Sequence, residues 1–288
     1  MTTVPSTNVL AEGETLAKAP QPRQFIVTVY GLYSRANGGW LSVASVVDLL
    51  KHLDVDEPAA RSSIFRLKRR DILHAERRDG AAGYSLSEEG VAILAEGDER
   101  IFRREPAKLT DGWLLATFSV PEAERHKRHL LRSQLNRLGF GTAASGVWIA
   151  PARLRDTTTE LLRHLELDGY ADLFHADHVA FGNLEDKVRQ WWDLGSLEKL
   201  YSAFASEHEP TLRRWRRRRA AEERLAFVDY VRLLTDWRRL PYLDPGLPLE
   251  LLPQDWIGIH AADVFFSLKD RLEETARHYG ARTIAMRQ

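Results

Sequence analysis

Apolar positions along this chain follow first a helical period and then an alternating one, and the changes of period divide it. Residues 1–22 mix Thr, Ala, Pro and Glu with little periodicity and predict a disordered tail. From Arg23 onward Phe25, Ile26, Val29, Tyr30 and Leu32 recur at helical spacing until Asn37, Gly38 and Gly39 end the element. Ser42 is a candidate N-cap for a second helix carrying Val46, Val47, Leu49, Leu50 and Leu53. Asp56 can cap a third, and Pro58 is tolerated in its first turn because the N–H there has no helical partner. Residues 72–75 and 83–86 then read as two strands around Arg77, Arg78, Asp79 and Gly80, the Asp-Gly pair supplying the turn. A fourth helix starts near Ser87 and reaches about residue 104. Three helices, a hairpin and a closing helix predict a winged helix-turn-helix over 23–105.

Residues 106–111 read as a linker and 113–120 as a buried strand. Pro121 opens a helix through Leu131, Leu135 and Leu138 that Gly139 can terminate. Two strands within 140–150, a helix over 157–167 and a strand over 175–181 complete the order β-α-β-β-α-β, the ferredoxin-like split unit, over 106–183. Residues 184–288 form a mainly α-helical C-terminal domain, broken at 240–253 by four prolines. Leucines and Tyr242 alternate with those prolines, so the segment reads as an ordered, irregular loop. The fold class is a multidomain α+β protein.

Charge changes the picture at one place. The chain balances 41 Lys and Arg against 41 Asp and Glu, yet Arg61 to Arg78 holds seven basic residues and two acids. On a helical wheel Ala60, Ile64 and Leu67 share the inner face of the third helix, with Phe65 flanking it. Ser62, Arg66, Arg69 and Arg70 lie opposite, with Ser63 beside them, Lys68 adding charge and Arg61 on the flank. A planar guanidinium can grip guanine O6 and N7 together, and serines suit several base edges or a phosphate. Arg77 and Arg78 would sit at the tip of the hairpin against the DNA backbone, and Ser42 at a helix start could present N–H groups to a phosphate. Double-stranded DNA is the partner this pattern implies.

Other signals carry less. The absence of cysteine excludes disulfides, thiolate metal sites and a cysteine nucleophile. No run approaches ~20 uninterrupted apolar residues and the N-terminus lacks a signal-peptide pattern, which implies a cytoplasmic protein without a membrane span. The GFGTAA run at 139–144 nearly matches a dinucleotide fingerprint, but it follows a helix and enters a strand. His126 and His129 lie among arginines and lysine, and His175 and His178 on a strand would face opposite ways, so neither pair reads as a metal site. No cofactor is implied. Residues 211–219 hold six arginines around Trp215, either a second functional face or a helix surface neutralised by Glu222 and Glu223. Most of the eight tryptophans read as core.

Several phrases resemble the PaaX-like family of transcriptional repressors of phenylacetate catabolism: RSSIFRL at 61–67, DGW at 111–113, GVWIAP at 146–151, WDL at 192–194, WRRLPYLDPGLP at 237–248 and LLPQDW at 251–256. The resemblance implies a homodimeric repressor released from its operator by an acyl-CoA effector such as phenylacetyl-CoA, and not an enzyme. It implies a middle domain that dimerises and has the fold of the CRISPR-associated endoribonucleases. Those nucleases end their first strand on an Asp that recruits metal, whereas here Thr117 to Pro121 offers no acid before Glu122. For the effector, the resemblance directs attention to Trp192, Trp237 and the 240–253 loop, with Arg213, Arg214, Arg238 and Arg239 as candidate phosphate partners. A metal-dependent nuclease and a DNA-binding scaffold without a small-molecule effector are the alternatives.

Overall fold

A computed structural model of the chain describes residues 20–103, 105–179, 181–218 and 222–287. Nearly all of the tail expected over 1–22, and Arg219 of the arginine run, lie outside the described residues. The chain is a mixed α+β protein with two small sheets. It divides into two units: 1–102, 202–239 and 258–288 form the first, and 103–201 with 240–257 the second. This division cuts the chain differently from three consecutive domains, because the C-terminal segment contributes to both units.

In the first unit α1 (Pro22–Val29) runs on through a π turn, Tyr30–Ser34, and a 3-10 turn, Arg35–Asn37, to Gly38 in the left-handed region (φ 59°). The three-residue strand β1 (Trp40–Ser42) follows, an element the hydrophobic pattern does not predict because all its residues are buried. Then come α2 (Val43–Lys51), α3 (Glu57–Arg69), β2 (Leu73–Arg78), β3 (Ala81–Leu86) and α4 (Glu88–Phe102). The strands form one antiparallel sheet in the order β1-β3-β2. Both hairpin strands extend beyond the expected bounds and meet at Asp79 (φ 47°) and Gly80 (φ 84°). Two consecutive positive φ values are what a two-residue turn matched to strand twist requires. Gly83 is needed for a different reason: a Cβ there would lie 2.4 Å from the Trp40 ring.

In the second unit β4 (Trp113–Phe118), α5 (Arg125–Leu138), β5 (Gly141–Ala144), β6 (Val147–Pro151), α6 (Arg155–His164) and β7 (Ala171–Ala176) follow in order. Their sheet runs β5-β6-β4-β7, every pair antiparallel. Leu114, Ala116, Leu135, Leu138, Phe140, Trp148 and Ala150 form its core. Gly139 caps α5 in the left-handed region (φ 94°), as its position predicts. The last strand lies earlier than the expected 175–181. Val179 and Phe181, whose apolar character suggested the later register, are exposed, and His178 falls outside the strand. The strand instead follows the alternation of half-buried Ala171 and Leu173 with exposed Asp172 and Phe174.

The remaining helices are α7 (Leu184–Trp191), α8 (Leu194–Arg217), α9 (Glu223–Trp237), α10 (Leu240–Leu243) and α11 (Ile257–Ala285). The proline-rich segment is ordered around Asp244, which accepts hydrogen bonds from the Tyr201 hydroxyl (2.6 Å) and the Gly246 N–H (2.6 Å). Leu240, Leu247 and Leu251 are buried, Tyr242 is half-buried and Leu243 is exposed. Its backbone is held within the second unit: the Gly246 carbonyl accepts from Ala107 N–H (3.1 Å) and the Pro245 carbonyl from Arg153 (3.3 Å). Helices α9 and α11 pack within the first unit. Thr28 and Thr235 hydroxyls hydrogen-bond at 2.8 Å, and a Cβ on Gly280 would lie 2.5 Å from the Tyr33 ring. Among the described residues no helix is long and apolar enough to cross a membrane.

Candidate nucleic-acid interface

Helix α3 exists because its ends are specified. The Asp56 carboxylate accepts the Ala59 N–H (2.7 Å), Glu57 opposes the positive helix terminus, and Arg66, Lys68 and Arg69 sit in the last turn against the negative one. Its inner face buries Ala60, Ile64 and Leu67 as the wheel predicts, but Ser63 is buried with them at 4% exposure. Its closeness to the apolar stripe takes Ser63 off the outer face. Phe65 moves the opposite way and is 55% exposed.

Beyond the exposed Glu57 and Pro58 of its first turn, the exposed side chains of α3 are Arg61, Ser62, Phe65, Arg66, Lys68 and Arg69, with Arg70 exposed at the C-cap. Arg61 is tied to Glu57 at 2.7 Å, one turn away. Arg66 donates to the Ser62 hydroxyl at 3.0 Å, which aligns the two along one face. Lys68 and Arg69 have no acidic partner among the described residues. Between Glu57, which Arg61 engages, and Asp71 no carboxylate interrupts this surface.

At the hairpin, Arg77 and Arg78 lie within β2 and not in the turn. Exposed Arg77 donates to the Gly80 carbonyl (2.7 Å) and stays at the tip. Arg78 faces inward: it donates to both oxygens of Glu76 (2.7 and 3.2 Å) and to the Asn37 carbonyl (3.1 Å), and lies over the Trp40 ring at 5.5 Å. The hydrogen bond from Arg78 holds the Glu76 carboxyl below the ordinary glutamate range. Arg78 therefore ties the turn end of the hairpin to Asn37 and Trp40. The sequence missed this because Trp40 lies on a strand too short to show a pattern.

Ser42 is the N-cap of α2, its hydroxyl accepting the Ser45 N–H at 3.0 Å, as expected. It is only 1% exposed, however, and it also donates to the Arg287 carbonyl (3.0 Å), while the Arg287 guanidinium pairs with Asp48 at 3.2 Å. The end of α11 thus lies beside the start of α2, and nothing in the sequence signals it.

Three family models match successive parts of the chain: PaaX-like protein over residues 21–90, PaaX protein central Cas2-like domain over 106–188, and PaaX-like protein C-terminal domain over 192–282. The chain belongs to the PaaX-like family. It is 26% identical over 257 residues to the transcriptional repressor PaaX of Escherichia coli strain K12, covering 87% of this chain and 80% of that protein. A solved structure of an uncharacterised Mycobacterium tuberculosis protein superimposes with a TM-score of 0.61 at 21% identity, over 90% of this chain and 98% of the other, a likeness of fold.

The six residues that the PaaX-like resemblance marks out for an effector are divided between the units. Arg213, Arg214, Trp237, Arg238 and Arg239 belong to the first, Trp192 to the second. Arg213 pairs with Glu209 (3.0 Å) and Arg214 with Asp229 (2.6 Å), whose carboxylate also accepts the Trp215 indole N–H (2.6 Å). Arg218 pairs with Glu222, as the spacing predicts. Arg238 is buried and Arg239 half-buried. Trp237 is core, stacked on Phe265 with ring centroids 4.6 Å apart. Trp192 donates its indole N–H to the Gly139 carbonyl (2.8 Å) and borders a cavity of about 340 Å³ with Arg189, Asp193, Glu198, Pro253 and Trp256. Of the six, Trp192 is the residue that borders this space. His126 and His129 are exposed, and among the described residues no group of His, Asp and Glu could hold a metal ion.

Proposed function

We propose that this protein is a transcriptional repressor that binds duplex DNA through α3 and the β2–β3 hairpin. The observation that carries the reading is the outer face of α3, where Arg66, Lys68, Arg69 and Ser62 stand exposed without an intervening acid. The arrangement of α1, α2 and α3 against the β1-β3-β2 sheet supports a winged helix-turn-helix, with α3 in the major groove and Arg77 at the neighbouring backbone. The order β5-β6-β4-β7 supports a ferredoxin-like middle unit that joins two copies. Relationship to the Escherichia coli repressor supports the regulatory role. An acyl-CoA that releases the protein from its operator completes the reading.

Gel-shift titration with the DNA upstream of the protein's own gene, against a scrambled duplex, tests it. Specific binding should fall steeply with salt, because each phosphate contact releases counterions. Arg69→Ala should weaken specific binding by about 1–3 kcal/mol if the guanidinium holds a base, with Arg61→Ala costing less because Glu57 already holds that charge. Equal binding to both duplexes, or none, overturns the reading.

A further inference from the structure

Phe65 is a large aromatic side chain on the surface of a highly charged helix. It makes no ring contact among the described residues. Single exposed apolar residues are common and need no explanation by themselves. Direction is what separates this one. With about 100° per residue, the buried Ala60, Ser63, Ile64 and Leu67 centre on one side of α3. On that wheel Arg69 points about 10° from the exact opposite of the core, Ser62 and Phe65 about 30°, and Arg66 about 70°. Phe65 is therefore near the crest of the reading face, about one turn along the helix from both Ser62 and Arg69. Arg61, Lys68 and Arg70 lie on its slopes.

We propose that Phe65 is a specificity residue that receives the C5 methyl of a thymine in the major groove. The proposal rests on the DNA-binding reading above. A ring at the crest of a groove-filling helix meets base edges, and the thymine methyl is the apolar group displayed there. Side chains that wedge between stacked bases work from the minor groove, which an α-helix does not enter in this way. A protein partner fits the surroundings less well, because Arg66, Lys68 and Arg69 beside the ring would have to be desolvated without an acid from this face.

The test uses the full chain and duplexes that it selects from a random pool. Each thymine is replaced in turn by deoxyuridine, a change that removes only the C5 methyl. With the unaltered protein, at least one replacement should weaken binding about fourfold, the worth of one buried methyl-sized group. With Phe65→Ala the same replacement should have almost no effect, while Phe65→Leu should keep part of it. Circular dichroism melts of both variants should match the parent, since the ring is exposed. Equal deoxyuridine penalties in the parent and Phe65→Ala, or no penalty at any thymine, overturn the proposal. Failure of the parent to select any duplex overturns the DNA-binding reading itself, a result distinct from an unchanged thymine preference.

Discussion

Ser42, Ser62 and Ser63 are all polar, small and close to the basic helix in sequence, yet only Ser62 is exposed. Ser42 spends its hydroxyl on the Ser45 N–H and the Arg287 carbonyl. A cap and a phosphate contact predict different consequences. Ser42→Ala should lower stability in urea by about 1 kcal/mol, the worth of an N-cap side chain, and leave the salt dependence of DNA binding unchanged. A shallower salt dependence would return Ser42 to the phosphate-contacting set. The sequence placed the charges of α3 correctly because charge and helical period are both local. It misplaced Ser63 and Phe65 because a position near the edge of an apolar stripe is decided by which neighbour reaches it. Arg78 was misread for a similar reason: its partners Asn37 and Trp40 are remote in sequence.

At the scale of elements, the hairpin depends on close approach. Gly83 pairs with Ser42 across β1 and β3 and with Glu76 across β3 and β2, and Trp40 covers it. An added Cβ would meet the ring at 2.4 Å and the Leu41 carbonyl at 2.6 Å. Gly83→Ala should therefore destabilise the first unit by about 1–3 kcal/mol, the usual cost of overpacking, visible as a lower urea midpoint. A midpoint equal to the parent would mean that Trp40 can swing aside. The Asp79-Gly80 turn was legible because its residues must adopt positive φ. The strand β1 was not, since three buried residues show no alternation, and β7 was displaced by the exposed apolar pair Val179 and Phe181.

For the whole molecule, element order was readable and unit membership was not. Residues 202–239 and 258–288 belong with the N-terminal elements, whereas 240–257 belong with the middle sheet. Periodicity reports which face of a helix is buried but not what covers it, so a break at Pro241 looks like an internal loop of one domain. The effector reading belongs to this scale. Within a panel of acyl-CoAs, a true effector supplied at about 100 times its dissociation constant should stabilise the protein by about 2.7 kcal/mol in thermal melts. Absence of a shift with every member favours a repressor without small-molecule input. The contact between Arg287 and the start of α2 also has a practical side. A substitution at Arg287 would be felt at the capped first turn of α2, and a fluorescent label placed there would report on that turn as well as on the end of α11.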